Sequence, residues 1–187
     1  MIDPKIKNKA LKQMLWVSMI SMTMMFAGLT SAYVVSKNRE DWVRFELPTA
    51  FYYSTLLIIL SSITFFLAKK FIQQDKVART TLFLSMTLVL GLGFVYFQFH
   101  GFQQLIDAGL YFTGEQSNVS SSFLYVIAIT HMLHILAGII VLIRVLFKNI
   151  MGIYSASNYF GLDMGSIFWH FVDALWVYLF LFFYFLG

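Results

Sequence analysis

The chain has 187 residues, 59% of them hydrophobic and 12% charged, against about 25% charged in an ordinary soluble domain. Twenty-one Phe, ten Tyr, ten Met and four Trp spread over nearly every segment exclude a water-soluble fold around one core, and a formal charge of +4 gathered at segment ends excludes a nucleic-acid face. The absence of cysteine removes disulfides, thiolate metal sites and cysteine nucleophiles.

The first uncharged interval follows Lys5, Lys7, Lys9 and Lys12 and predicts a transmembrane helix over 13–36. It is too long for a signal-peptide core, and it ends in Ser36-Lys37-Asn38-Arg39 without a small-x-small cleavage site, so it is expected to stay in the mature protein. Further spans are predicted over 47–68, 80–105, 119–146 and 165–186, each able to cross about 30 Å of hydrocarbon. Loops are expected near 37–46, 69–79, 107–118 and 144–163. With no internal repeat and no long linker, the expectation is one all-α transmembrane domain, 1–187, of five helices.

Basic residues orient these spans. Lys5, Lys7, Lys9 and Lys12 share one side with Lys69, Lys70, Lys76, Arg79, Arg144 and Lys148, whereas Lys37, Arg39 and Arg44 occupy the other. The positive-inside rule then places the N-terminus in the cytoplasm and the C-terminus outside, with Asp107 and Glu115 in an outer loop that has no Lys or Arg.

Ionisable groups within the spans are few, as expected when an Asp at a helix centre costs about 2.5–3.5 kcal/mol. They are His100 near the outer end of the third span, His131 and His134 in the fourth, and His170 with Asp173 in the fifth. Each i, i+3 pair shares a helical face. His134 lies ten residues before Arg144, and Asp173 ten after Asp163, so both sit about 15 Å in from the shared loop. A polar cluster of His131, His134, His170 and Asp173 is therefore expected, with the indoles of Trp169 and Trp176 as donors and with Asp173 meeting His134. Three readings stand: a metal or haem site built from imidazole and carboxylate, a proton path, and hydrogen-bonded glue between helices. The last is the commonest use of polar groups in membranes. Gly28 with Ala32 resembles a small-xxx-small contact, Gly91 with Gly93 suits close approach in the third span, and the Met run from Met14 to Met25 suits lipid contact better than copper.

At the fourth and fifth spans the pattern becomes specific. His131-Met132-Leu133-His134-Ile135-Leu136-Ala137-Gly138 resembles H-x-x-H-V/I-x-x-G, and Trp169-His170-Phe171-Val172-Asp173-Ala174-Leu175-Trp176 resembles W-H-F-x-D-x-x-W. Both are similar to signatures of subunit III of haem-copper terminal oxidases, in the short five-helix bacterial form. The intervening loop Ser157 to Asp163, the terminal Tyr184, and Leu47-Pro48, Ser54-Thr55 and Ser61-Ser62 upstream extend the likeness over nearly the whole chain. In many members the first of these helices carries S-E-x-M-F-F-A-G, whereas here Ser21-Met22-Thr23-Met24-Met25-Phe26-Ala27-Gly28 replaces the glutamate by Met22. Asp163 similarly stands where a glutamate is common.

The resemblance implies a non-catalytic subunit of a proton-pumping oxidase in the bacterial inner membrane. Such a subunit packs beside the catalytic subunit I and other oxidase subunits and holds phospholipids in a cleft. It has no catalytic residue and no metal or haem of its own, and the haem and copper belong to its partners; membership of a larger respiratory supercomplex is left open. It also implies a lipid-headgroup contact at Lys148. Cytochrome c oxidase is preferred over quinol oxidase. A stand-alone membrane His/Asp metalloprotein and a small proton-coupled transporter are the rival readings, the second weakened by the lack of inverted repeats and paired broken helices.

Overall fold

The structure is a computed structural model that describes residues 4–39, 42, 46–114 and 118–186. Five long helices follow in order: α1 (Pro4–Ser36), α2 (Thr49–Ile72), α3 (Val77–Asp107), α4 (Val119–Ile150) and α5 (Phe160–Leu186). All five are long and apolar enough to cross a membrane. Arg44 and Glu115, used above to orient the chain, lie outside the described residues.

Helix boundaries depart from the predicted spans in one consistent way. The 33 residues of α1 begin at Pro4, about 50 Å of helix, so Lys5 to Lys12 belong to the helix itself rather than preceding it. Likewise α2 runs on through Lys69 and Lys70, and the expected loop 69–79 shrinks to the four residues between Ile72 and Val77. Charge ends the apolar interval without ending the helix, because Lys is a good helix former, and in α2 Lys69 and Lys70 also suit the negative C-terminal end of the macrodipole. What stops α3 and α4 is a left-handed turn that only glycine adopts easily. Gly109 (φ 79°) and Gly152 (φ 71°) let Leu110 and Ile153 donate back to Leu105 and Lys148.

Helices α2, α3, α4 and α5 close a ring in which each packs on the next, and α5 returns to α2. The α2–α3 seam carries short polar rungs, with Thr64 Oγ1 2.8 Å from Thr87 Oγ1 and Gln98 Nε2 donating to Ser54 Oγ at 3.0 Å. Between α3 and α4, Asn149 Nδ2 donates to Thr81 Oγ1 at 2.9 Å. Small residues admit the bulkiest side chain. A Cβ on Gly91 would sit 2.9 Å from the Trp169 ring and one on Gly138 3.2 Å from it, so the indole fits between α3 and α4 only because both positions lack a side chain.

The helix α1 stands outside this ring and, among the described helices, packs only on α4 and α5. Its inner face, Met19, Phe26, Thr30 and Tyr33, is buried. Gly28 lies on the other side with nothing within 4 Å of a Cβ built there, so the expected Gly28–Ala32 contact is not made within the chain. Because α1 and α2 share no packing, α5 lies open between them. At one end of that opening the Asp163 carboxylate, in the first turn of α5, is 2.5 Å from Lys69 of α2 and 3.8 Å from Lys12 of α1.

Candidate functional site: the polar face of α5

Trp169, Asp173 and Trp176 recur at spacings of four and three and form one face of α5, all buried. That face is turned towards α2. Trp169 Nε1 donates to Ser61 Oγ at 3.1 Å, and Trp176 Nε1 donates to Thr55 Oγ1 at 3.0 Å. One step round the helix, His170 Nδ1 is 2.6 Å from Ser62 Oγ. The Asp173 carboxyl, 3% exposed, faces the hydroxyls of Ser61 and Ser62, but neither of its oxygens reaches full hydrogen-bond geometry.

The two histidines of α4 go elsewhere. His131 is buried and stacks on Trp176 (centroids 5.2 Å, 28° between planes), with Phe26 and Phe94 edge-on at 6.2 and 6.3 Å. His134 turns to α1, packs edge-on to Phe26 at 5.8 Å, and directs Nδ1 to its own helix's Thr130 carbonyl at 2.7 Å. The expected hydrogen bond between Asp173 and His134 is therefore not made. Equal depth sets the height of two side chains in a bundle but not their direction around each helix axis, and α2 rather than α4 stands in front of the acid.

The six residues read from the sequence thus divide into two groups. Trp169, His170, Asp173 and Trp176 form a seam with α2, His131 joins it through the Trp176 ring, and His134 belongs to the α1 side. Among the described residues no group of three or more His, Asp or Glu side chains comes together as a metal site. The partners that sequence reasoning missed are Thr55, Ser61 and Ser62. Their signal was present, since Ser54-Thr55 and Ser61-Ser62 are seven residues apart, two helical turns, and so lie on one face of α2.

Shallow grooves flank the open side of α5. One of 390 Å³ lies between α1 and α5, with Phe26, Ala27, Phe171, Ala174 and Tyr178 in its wall, and Tyr178 Oη is 3.3 Å from Thr30 Oγ1 of α1. A second, of 360 Å³, lies between α2 and α5 and is lined by Ser62, Ile63, Phe66 and His170. Lys148 is exposed in the last turn of α4 and lines neither groove. Met22 is half-buried on α1, beside His134.

Comparison with known proteins finds similarity along nearly the whole chain. Cytochrome c oxidase subunit 3 of Bacillus sp. (strain PS3) is 26% identical over 189 residues, covering 97% of this chain and 87% of the relative. The protein of the same name from Thermostichus vulcanus is 31% identical over 174 residues, 89% of this chain and 82% of the relative. Cytochrome bo(3) ubiquinol oxidase subunit 3 of Buchnera aphidicola subsp. Acyrthosiphon pisum (strain APS) is 28% identical over 179 residues, 92% of this chain and 85% of the relative. The family described as cytochrome c oxidase subunit III matches residues 5–187, and with both signature helices in place the chain belongs to that family, as subunit III of a haem-copper oxidase.

Proposed function

We propose that the chain is the supporting subunit of a proton-pumping cytochrome c oxidase, placed N-in/C-out in a bacterial inner membrane, and that it stabilises catalytic subunit I while holding phospholipid beside α5. Haem and copper stay with the partner subunits. The observation that carries this reading is the separation of α1 from α2, which leaves α5 exposed along largely apolar grooves. Lys12 and Lys69 stand at one mouth of this opening, where two cations share one carboxylate, an arrangement suited to an anionic headgroup. Lys148, exposed at the same membrane side in the positive-inside reading, supplies a second headgroup contact.

The polar face of α5 serves in this reading as interhelical glue. Its indole N–H groups and hydroxyls find partners within the subunit, which supports a structural role over a proton path. For the electron donor cytochrome c is preferred. Relatives named as quinol oxidase subunits carry similar identity and support the second reading. Purification in mild detergent tests the proposal: the chain should co-isolate with a haem-bearing subunit and with bound phospholipid, and reduced cytochrome c should support oxygen consumption. Uptake driven by quinol alone would move the assignment to the second reading, and isolation of the chain without any haem-bearing partner would refute both.

A further inference from the structure

The two serines that the Asp173 carboxyl faces have their own protons committed elsewhere. A serine hydroxyl has one O–H to give and two lone pairs to offer. Ser61 donates its proton to the Ile58 carbonyl at 2.8 Å, since a carbonyl only accepts, and one of its lone pairs receives the Trp169 indole N–H at 3.1 Å. Only a lone pair is left for the acid. The Ser62 hydroxyl lies 2.6 Å from His170 Nδ1, and with its proton on that contact Ser62 also offers the acid lone pairs alone. We propose that Asp173 is carried as the un-ionised acid and is itself the donor to this serine pair, so that the α2–α5 seam holds one proton and loosens when that proton is lost. This goes beyond the supporting role above and holds whichever electron donor the oxidase uses.

The surroundings of the carboxyl support the assignment. Asp173 is 3% exposed, and neither of its oxygens has a hydrogen-bond partner, so no ammonium or guanidinium donates to it. An ionised carboxylate has about four lone-pair sites to fill, and a buried charge left without partners is removed by taking up a proton. The reverse assignment, with His170 Nδ1 donating to Ser62, frees a single hydroxyl proton and leaves most of those sites empty. A carboxylic acid needs less, because one O–H and one lone pair on a serine satisfy it, as at other apolar sites where an un-ionised acid serves as a donor.

The neighbouring helices bring no charge to replace that proton. On α5 itself, His170 is engaged by Ser62, and Asp163 lies in the first turn. From α2, Lys69 is two helical turns beyond Ser62 and is held by Asp163. From α4, His131 stacks on the Trp176 ring, and both of its nitrogens are buried without a hydrogen-bond partner, so it gives the acid no proton. α1 brings Thr23 and Phe26 towards Ala174, and neither titrates. With Ser62 donating to Nδ1, the proton of the neutral His170 ring sits on Nε2.

The test is isotope-edited infrared spectroscopy of the full chain in detergent, with aspartate labelled by carbon-13 in its side-chain carboxyl. At neutral pH one un-ionised carboxyl band should move with the label. Asp173→Asn should remove it, Asp163→Asn should leave it, and Ser61→Ala or Ser62→Ala should displace it by taking away an acceptor. The folded seam then binds a proton that the unfolded chain releases, so stability falls as pH rises. Against Asp173→Asn, which keeps a neutral donor that cannot titrate, the parent's folding constant should drop about tenfold per pH unit above about pH 4, where a free aspartate ionises. Reversible unfolding in mixed micelles reads this difference. A folded parent with no label-sensitive un-ionised band overturns the proposal without recourse to any variant, which keeps the test decisive if Asp173→Asn misfolds. A band that survives Asp173→Asn, a band that neither serine variant displaces, or the same pH dependence in parent and Asp173→Asn would overturn it as well.

Discussion

The glycine slot that holds Trp169 makes a sharp prediction about packing. Replacing Gly91 by alanine would put a Cβ 2.9 Å from Trp169 Cη2, whereas carbon–carbon contacts are comfortable at about 3.5–4.0 Å. The indole cannot withdraw freely, because its N–H is tied to Ser61 at 3.1 Å. Overpacking of this kind costs about 1–3 kcal/mol, and it is partly offset by the roughly 0.8–1.0 kcal/mol that alanine gains over glycine within a helix. The same propensity gain applies at Gly28, where a Cβ meets nothing within 4 Å. Gly28→Ala should therefore be neutral or stabilising, and the difference between the two variants, about 1–3 kcal/mol, isolates the clash. Reversible unfolding in mixed micelles, followed by circular dichroism, measures both. In a Trp169→Phe background the smaller ring should relieve most of the Gly91→Ala penalty, so the double mutant should be markedly less than additive. Gly91→Ala as harmless as Gly28→Ala, or strict additivity with Trp169→Phe, would refute the slot.

Other consequences follow from the polar seam and the charged end. Trp176→Phe and Thr55→Ala should show a coupling near the roughly 0.6 kcal/mol typical of hydrogen bonds in membranes, while Asp173→Leu and His134→Leu should add within about 0.5 kcal/mol; clear coupling of the second pair would contradict their separation onto α2 and α1. Asp163→Asn should weaken the tie among Lys12, α5 and Lys69 by less than about 1 kcal/mol, with the difference from the parent fading at high salt; a salt-independent loss would mean that the carboxylate acts through something other than these ion pairs. Lys148→Ala should lower the phospholipid retained by the complex and leave assembly intact, read by lipid phosphorus per haem, and unchanged lipid would remove Lys148 from the headgroup contacts.

Much of the architecture was legible in order along the chain. A charged residue cannot remain in hydrocarbon cheaply, so uncharged intervals mark spans directly, and five of the five expected helices are present. The family was readable because two short motifs place His, Trp and Asp at helical spacings in the right order. Spans alone overstated the loops, since Lys69, Lys70 and the lysines of the N-terminus continue their helices.

What the sequence could not determine is direction around each axis. Residue count gives depth at 1.5 Å per residue, and by that measure Asp173 and His134 are neighbours. Which neighbour a side chain meets depends on how five helices rotate and cross to fill space, and here Trp169 decides the matter, because it can enter only where Gly91 and Gly138 leave room. That placement turns Asp173 and both indoles towards the hydroxyls of α2 and leaves His134 facing Met22 and Met25 across the α1 groove. The opening between α1 and α2 has the same origin: α1 buries Met19, Phe26, Thr30 and Tyr33 without touching α2, so shape complementarity rather than any local signal leaves one side of α5 uncovered.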